Sequence, residues 1–398
     1  MRQGESSAGE AGLPAPTGPH AVGLVGFDLV DRDREDPYAR RGGTPRRLAV
    51  WAWYPAAPRT GGSPGAYLPG VWRTTSWLWG LHGSRVRVHA REAANPADGA
   101  FPLVLFSPSV NPPLCYTALL QELASHGYIA VGISHTYEAI PLTVFADAPP
   151  RLARLASLGG ALAAPGKRPY EVDLGERADV VAVKAADLEF VRAQLGASAL
   201  TGAKRLPAID PARSAVIGHS FGGGAAADIC QRQDPPTAGI SLDGGLWRAP
   251  ESLSPTGPFL QLFAEHPEYT ISPDDSVRHG FFKRAEYAEQ DRSMTVGAWQ
   301  ALHSRARPGY SALVDGAAHT SFCDWPMLPL RAWSPARRAL RGLTGAGAWN
   351  TVTRTLLTFL GKHVKGGQGD ILATLMADDA LRVGEPAKLF SPESLASF

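Results

Sequence analysis

Ala215-Val216-Ile217-Gly218-His219-Ser220-Phe221-Gly222-Gly223-Gly224-Ala225-Ala226-Ala227 runs from a short apolar strand, through a G-x-S-x-G turn, into a stretch of small residues. A buried strand, a sharp turn and a helix start are what a nucleophile elbow requires. The strained turn exposes the serine hydroxyl, the glycines let neighbouring backbone approach, and the helix N-terminus favours developing negative charge. The same pattern recurs at Gly61-Gly62-Ser63-Pro64-Gly65. That copy follows Pro58-Arg59-Thr60 with no apolar run before it, and its proline favours a plain turn, so Ser63 reads as a loop residue. Context singles out Ser220 as the candidate nucleophile of a serine hydrolase.

Outward from the elbow, apolar runs alternate with helical patterns. Ala21–Val30 and Arg47–Trp53 alternate apolar with polar, as half-buried antiparallel strands do. Asp31–Thr44 between them is charged and Gly-rich and reads as a solvated loop. Leu103–Phe106, Ile129–Ile133, Arg213–Ile217, Ala238–Leu242, Phe259–Phe263 and Tyr310–Val314 read as buried strands. Tyr116–His126 reads as a helix closed by Gly127, and Trp349–Val364 as a closing helix. Val172–Leu195 is a long amphipathic helix with Val181, Ala185, Leu188 and Leu195 on one face. The expected fold class is α/β, a mostly parallel central sheet with helices on both faces and ligands at the carboxyl ends of the strands.

The 398 residues are read as a disordered tail, 1–18, and one catalytic domain, 19–398, with irregular insertions near 56–98 and 138–170. Trp72, Trp77 and Trp79 in the first insertion read as packing against the core. The hydrophobic content is 44% and the formal net charge +2, with acids and bases interspersed, so no basic field marks a nucleic-acid binder. No apolar run approaches a membrane span of roughly 18 residues. Residues 1–18 lack the apolar core of a signal peptide, which implies a cytoplasmic location, or secretion if a leader was removed. Cys115, Cys230 and Cys323 have no metal-like spacing and read as free thiols. No zinc, phosphate-loop or dinucleotide motif is visible.

A serine nucleophile needs a base within hydrogen-bond reach and an acid to orient that base. The order nucleophile, acid, histidine leaves His266, His279, His303, His319 and His363. His319 follows the last strand after a short Gly/Ala loop, where the base would hang over the serine. Asp243, ending the strand Ala238–Leu242, and Glu265, one strand later, both qualify as the acid. The basic stretch from Arg331 to Arg341 reads as a solvated helix face, and Cys323 as a small packed residue.

The motifs resemble the platelet-activating-factor acetylhydrolase family (plasma, type II and bacterial relatives) across roughly residues 16–390. The resemblance rests on Thr17-Gly18-Pro19-His20-Ala21-Val22-Gly23, the elbow with its Phe221, the Leu242-Asp243 turn, His319-x-x-Phe322-x-Asp324-Trp325, and Phe359-Leu360-x-Lys362-His363. It implies the α/β-hydrolase fold, a Ser220–His319–Asp243 triad, and neither metal nor cofactor. It also implies oxyanion amides from Phe221 and Val110, and substrate contacts from Asn111, Trp247, Phe322 and Trp325. Pro108-Ser109-Val110-Asn111 stands where the family has His-Gly, and Trp247 lies farther from Asp243 than its counterpart. These departures imply a substrate other than the namesake phospholipid.

The expected reaction is hydrolysis of a short-chain acyl ester of a small-molecule or lipid-like alcohol through an acyl-enzyme. Two other readings stay open. An acyltransferase or cyclase of specialised metabolism would use the same triad, and a non-catalytic binding protein could keep the same scaffold.

Overall fold

Six short apolar runs form the parallel centre of a single sheet. The computed structural model describes residues 12–58, 61–79, 81, 86–154, 158, 166–197, 206–328, 330 and 347–392. Its strands are β1 (Ala21–Glu35), β2 (Pro45–Ala56), β3 (Ser63–Pro64), β4 (Arg91–Glu92), β5 (Ala100–Ser107), β6 (Ile129–Ser134), β7 (Leu142–Thr143), β8 (Arg151–Leu152), β9 (Ala208–His219), β10 (Ala238–Leu242), β11 (Phe259–Phe263), β12 (Gly309–Val314) and β13 (Leu381–Val383). Among the described residues, eleven strands make one sheet in the order β13-β12-β11-β10-β9-β5-β6-β2-β1-β4-β3. From β12 to β6 every neighbouring pair is parallel, whereas β2, β1 and β13 join antiparallel at the flanks.

Parallel strands covered on both faces need apolar residues at every position, which is why these runs do not alternate with polar residues. Within β5, Val104 and Phe106 point into one core, with Leu120, Leu123, Leu356 and Phe359. Leu103 and Leu105 point into the other, with Val181, Leu188, Ala226 and Leu302. The helices Thr117–Ser125 and Gly347–His363 cover the first face. Tyr170–Gly196, Phe221–Ile229 and Ala285–Arg305 cover the second. Val181, Ala185, Leu188 and Leu195 are all buried, as their shared helical face requires.

Four readings need correction or completion. Residues 12–18 are not a loose tail: the Leu13 amide bonds to Arg87, and Thr17 donates to Glu122 from both its amide, at 2.8 Å, and its hydroxyl, at 2.5 Å. The charged segment 31–44 is not all solvated loop. Asp36 is buried because Arg46, itself 0% exposed, pairs with it at 3.2 Å. The helix Ala285–Arg305 was hidden by its charge, since its outer face is polar while Tyr287, Ala298, Trp299 and Leu302 are buried. The second insertion holds the small hairpin β7–β8. Trp72 is buried and Trp77 exposed, while the Trp79 side chain and the basic stretch 331–341 lie outside the described residues.

Candidate active site

The carboxyl ends of β5, β9, β10, β11 and β12 converge, and each presents one part of the site. Ser220 follows β9 at φ +57° and ψ −121° and caps the helix Phe221–Ile229. A non-glycine residue held there is strained. The strain persists because the elbow is packed backbone against backbone. A Cβ on Gly218 would meet the Gly222 oxygen at 1.8 Å, and one on Gly222 would meet the Ser107 oxygen at 1.9 Å. The Ser220 amide bonds to the Leu242 carbonyl at 3.0 Å, locking the elbow to β10.

Asp243 follows β10, is buried, and takes φ +50°. Its Oδ2 accepts from His319 Nδ1 at 2.6 Å. Its Oδ1 accepts from the Ala264 amide at 2.8 Å and from His266 Nε2 at 2.8 Å. Burial opposes its charge, but His266 and His319 outweigh burial and hold the carboxyl well below its usual range. Glu265, the other candidate acid, faces away: its Oε1 accepts from the Gly316 amide at 2.8 Å and ties down the loop that leads to His319.

Two residues that sequence reasoning passed over hold His319 from behind. His219 Nε2 lies 2.9 Å from the His319 carbonyl, and its Nδ1 lies 2.7 Å from Tyr116 Oη. A carbonyl only accepts, so Nε2 carries the proton and Nδ1 accepts from tyrosine. Burial, then the neighbouring His319, lower the His219 pKa to about 3, so the ring stays neutral. The two imidazoles pack at 4.6 Å between centroids. The order of residues in the elbow motif carried no signal for this.

Val110 and Phe221, the proposed oxyanion donors, pack into the same core cluster. Among the described residues neither amide donates a hydrogen bond. The Val110 carbonyl accepts from the Ile140 amide at 2.7 Å, and the Ser109 carbonyl from Lys184 Nζ at 3.0 Å.

Ser220, Asp243 and His319 line one cavity of about 230 Å³ with Arg177, Trp247, His266, Glu268, Tyr269, Phe281, Phe282, Asp291, Thr295 and Trp299. Of the four expected substrate contacts, only Trp247 lines it, stacked on Phe221 at 4.6 Å. Asn111 is not among its lining residues. Phe322 packs against the back of His219 at 5.8 Å. Trp325 packs on the core face formed by Leu356 and Phe359. The neighbouring Asp324 explains that segment: its two oxygens accept from the Thr117 and Ala118 amides at 2.9 and 3.1 Å, capping a helix rather than touching a ligand. Cys323 is buried, its thiol pushed up by burial. Among the described residues no group of His, Cys, Asp and Glu has the arrangement of a metal site.

No protein-family profile matches the chain. A ferulic acid esterase from Streptomyces cinnamoneus superposes with TM-score 0.70 and 25% identity, covering 92% of this chain and 96% of that one. The chain has the α/β-hydrolase fold. A probable 1-alkyl-2-acetylglycerophosphocholine esterase from Arthroderma benhamiae is 28% identical over 259 residues. That match covers 59% of this chain, and the chain spans 59% of that relative's length. No helix among the described residues is long and apolar enough to cross a membrane.

Proposed function

We propose that this chain is a carboxylic ester hydrolase working through an acyl-enzyme on Ser220, with residues 12–392 acting as one catalytic unit. One observation carries the reading: the strained Ser220 shares a cavity with His319, whose Nδ1 lies 2.6 Å from a buried Asp243. Both proteins named above are esterases by description, which supports the same chemistry here.

In this reading His319 Nε2 takes the serine proton as the hydroxyl attacks the ester carbonyl. Asp243 holds the Nδ1–H tautomer and stabilises the imidazolium. The Phe221 and Val110 amides receive the oxyanion, each such donor contributing about 3 kcal/mol to transition-state binding. His319 then protonates the leaving alcohol, and water completes the cycle. Neither step calls for a cofactor.

A cavity of about 230 Å³ suits a small group, smaller than the roughly 300 Å³ at which drug-sized pockets begin. A short acyl chain fits, in line with the acetyl group in the name of the Arthroderma protein. The walls favour a second reading of the acyl group. Trp247, Tyr269, Phe281, Phe282 and Trp299 are aromatic, and among the described residues no Leu, Ile, Val or Met lines the space. Flat rings pack well on such faces, so a single-ring acyl group is the alternative.

The test compares wild type with Ser220→Ala on p-nitrophenyl acetate, butyrate and octanoate, a 2-acetyl phospholipid and methyl ferulate. Turnover that disappears in the variant supports the hydrolase. Wild type inert to all five, and unlabelled by a fluorophosphonate, would reject it. Labelling without turnover would point to another acyl acceptor.

A further inference from the structure

His266 stands between two carboxylates. Its Nε2 lies 2.8 Å from Asp243 Oδ1, and its Nδ1 lies 2.9 Å from Glu268 Oε1. A neutral imidazole has one donor and one acceptor, whereas an ionised carboxylate only accepts. Both ring nitrogens must therefore carry protons. We propose that His266 is a permanently cationic positioning residue, held by Glu268 behind Asp243, which partly neutralises the acid and sets the pH range in which His319 works as base. This rests on the triad proposed above.

The surroundings favour that charge state. Tyr269, Trp299 and Phe390 ring the imidazole at centroid distances of 5.6, 5.6 and 5.9 Å and restrict its rotation. Charged and titratable groups reach it from several elements. Asp243 and Glu268 contact it directly, and His319 shares Asp243. Asp291 on the helix Ala285–Arg305 accepts from Tyr269 Oη at 2.7 Å and faces Arg177 at 3.7 Å. Lys388 and Glu385, by Phe390, pair with each other at 3.7 Å on the surface. Burial disfavours the cation, but Asp243 and then Glu268 outweigh burial and hold the His266 pKa well above its ordinary value.

The consequence concerns Asp243. An isolated buried carboxylate would give its full field to the His319 imidazolium. With a cation already on Oδ1, that field is divided. The imidazolium is then held less tightly and returns its proton more readily to the leaving alcohol. Removing His266 should move the acid limb of the kcat/KM profile upward.

The experiment measures kcat/KM against pH for wild type, His266→Gln and Glu268→Gln on p-nitrophenyl acetate. His266→Gln should raise the acid limb by about one pH unit, the order expected for losing a unit charge at this range in a partly wet site. Glu268→Gln should move it the same way and by less. Glu268 is 21% exposed at its side chain, so that variant is expected to fold even where the other does not. A fall in kcat with an unmoved acid limb in both variants would make His266 merely structural and overturn the proposal. Nitrogen-15 NMR of histidine-labelled wild type decides the charge independently of turnover. One histidine with both nitrogens protonated from pH 5 to 9 supports the proposal, and its absence refutes it. An enzyme inert to every ester would sink the hydrolase reading while leaving this spectrum to judge His266.

Discussion

Lys184 Nζ lies 3.0 Å from the Ser109 carbonyl oxygen. In a trans peptide the C=O and the following N–H point in opposite directions. The grip of Lys184 on Ser109 therefore turns the Val110 N–H away from the long helix and polarises it, because a charged donor on the carbonyl strengthens the amide at the other end. Together with the 2.7 Å bond from Ile140 to the Val110 carbonyl, this fixes the two peptides on either side of Val110. A loop lacking the His-Gly of the resembled family thus gains an external brace.

Lys184→Met should lower kcat about 10- to 100-fold with little change in KM, somewhat less than deleting an oxyanion donor outright. Lys184 also sits 2.9 Å from the buried Glu138, so the single variant should lose about 3 kcal/mol of stability. Lys184→Met with Glu138→Gln removes the carboxylate that would otherwise keep only Arg46, at 3.6 Å, as its partner. Stability should largely return in denaturant titrations while kcat stays low. Full recovery of kcat in the double variant would refute the brace.

Tyr116 reaches His319, the proposed base, through two bonds in series, Tyr116 to His219 and His219 to the His319 carbonyl. Tyr116→Phe leaves His219 Nδ1 buried and unpaired, at a cost of about 1–3 kcal/mol. The prediction is a lower Tm and a several-fold fall in kcat, with fluorophosphonate labelling of Ser220 slowed in proportion. Unchanged labelling alongside lost stability would confine Tyr116 to the core.

The parallel strands were legible in the sequence because each is an uninterrupted apolar run bounded by turn residues, and Ala238–Leu242 and Phe259–Phe263 end where the runs end. That Ser220 and His319 would meet at one cavity was legible because an elbow and a post-strand loop leave local marks. Strand ends alone left Asp243 and Glu265 open as the acid, the family resemblance favoured Asp243, and in the fold it is the Asp243 carboxylate that meets His319. His266, Tyr116 and Lys184 were invisible because their partners lie 23, 103 and 75 positions away in the chain. The motif around Phe322 and Asp324 was legible but misleading, because a helix cap leaves as strong a pattern as a ligand contact.

Arg177 and Asp291 give the cavity a polar edge. Arg177 is 8% exposed, and its pairing with Asp291 is loose at 3.7 Å. Burial raises the Asp291 carboxyl, with Tyr269 already bonded to its other oxygen. A substrate oxygen reaching this edge would meet a charged donor with spare capacity. Arg177→Met should lower kcat/KM for oxygen-substituted aromatic esters about tenfold and leave p-nitrophenyl acetate within twofold. An equal loss on both substrates would show that Arg177 only supports the fold.

His135 gives stability a pH dependence of definite sign. Its Nδ1 donates to Asp187 Oδ2 at 2.8 Å and its Nε2 accepts from Ser107 Oγ at 2.9 Å, so the neutral ring is fully bonded. Burial first, then Lys184, lower its pKa from 6.5 to about 4. Between those values the unfolded chain takes a proton that the native ring refuses, and stability falls as pH falls. The loss contributed by His135 from pH 7 to pH 5 is about 2 kcal/mol. His219 adds a contribution of the same sign. His266 opposes them, because a raised pKa stabilises fully below the unfolded value and the benefit fades as pH rises through the folded one. Urea titrations at pH 7 and pH 5 should therefore show wild type losing about 2 kcal/mol more than His135→Gln. Equal losses in the two proteins would mean that His135 is already charged in the native state.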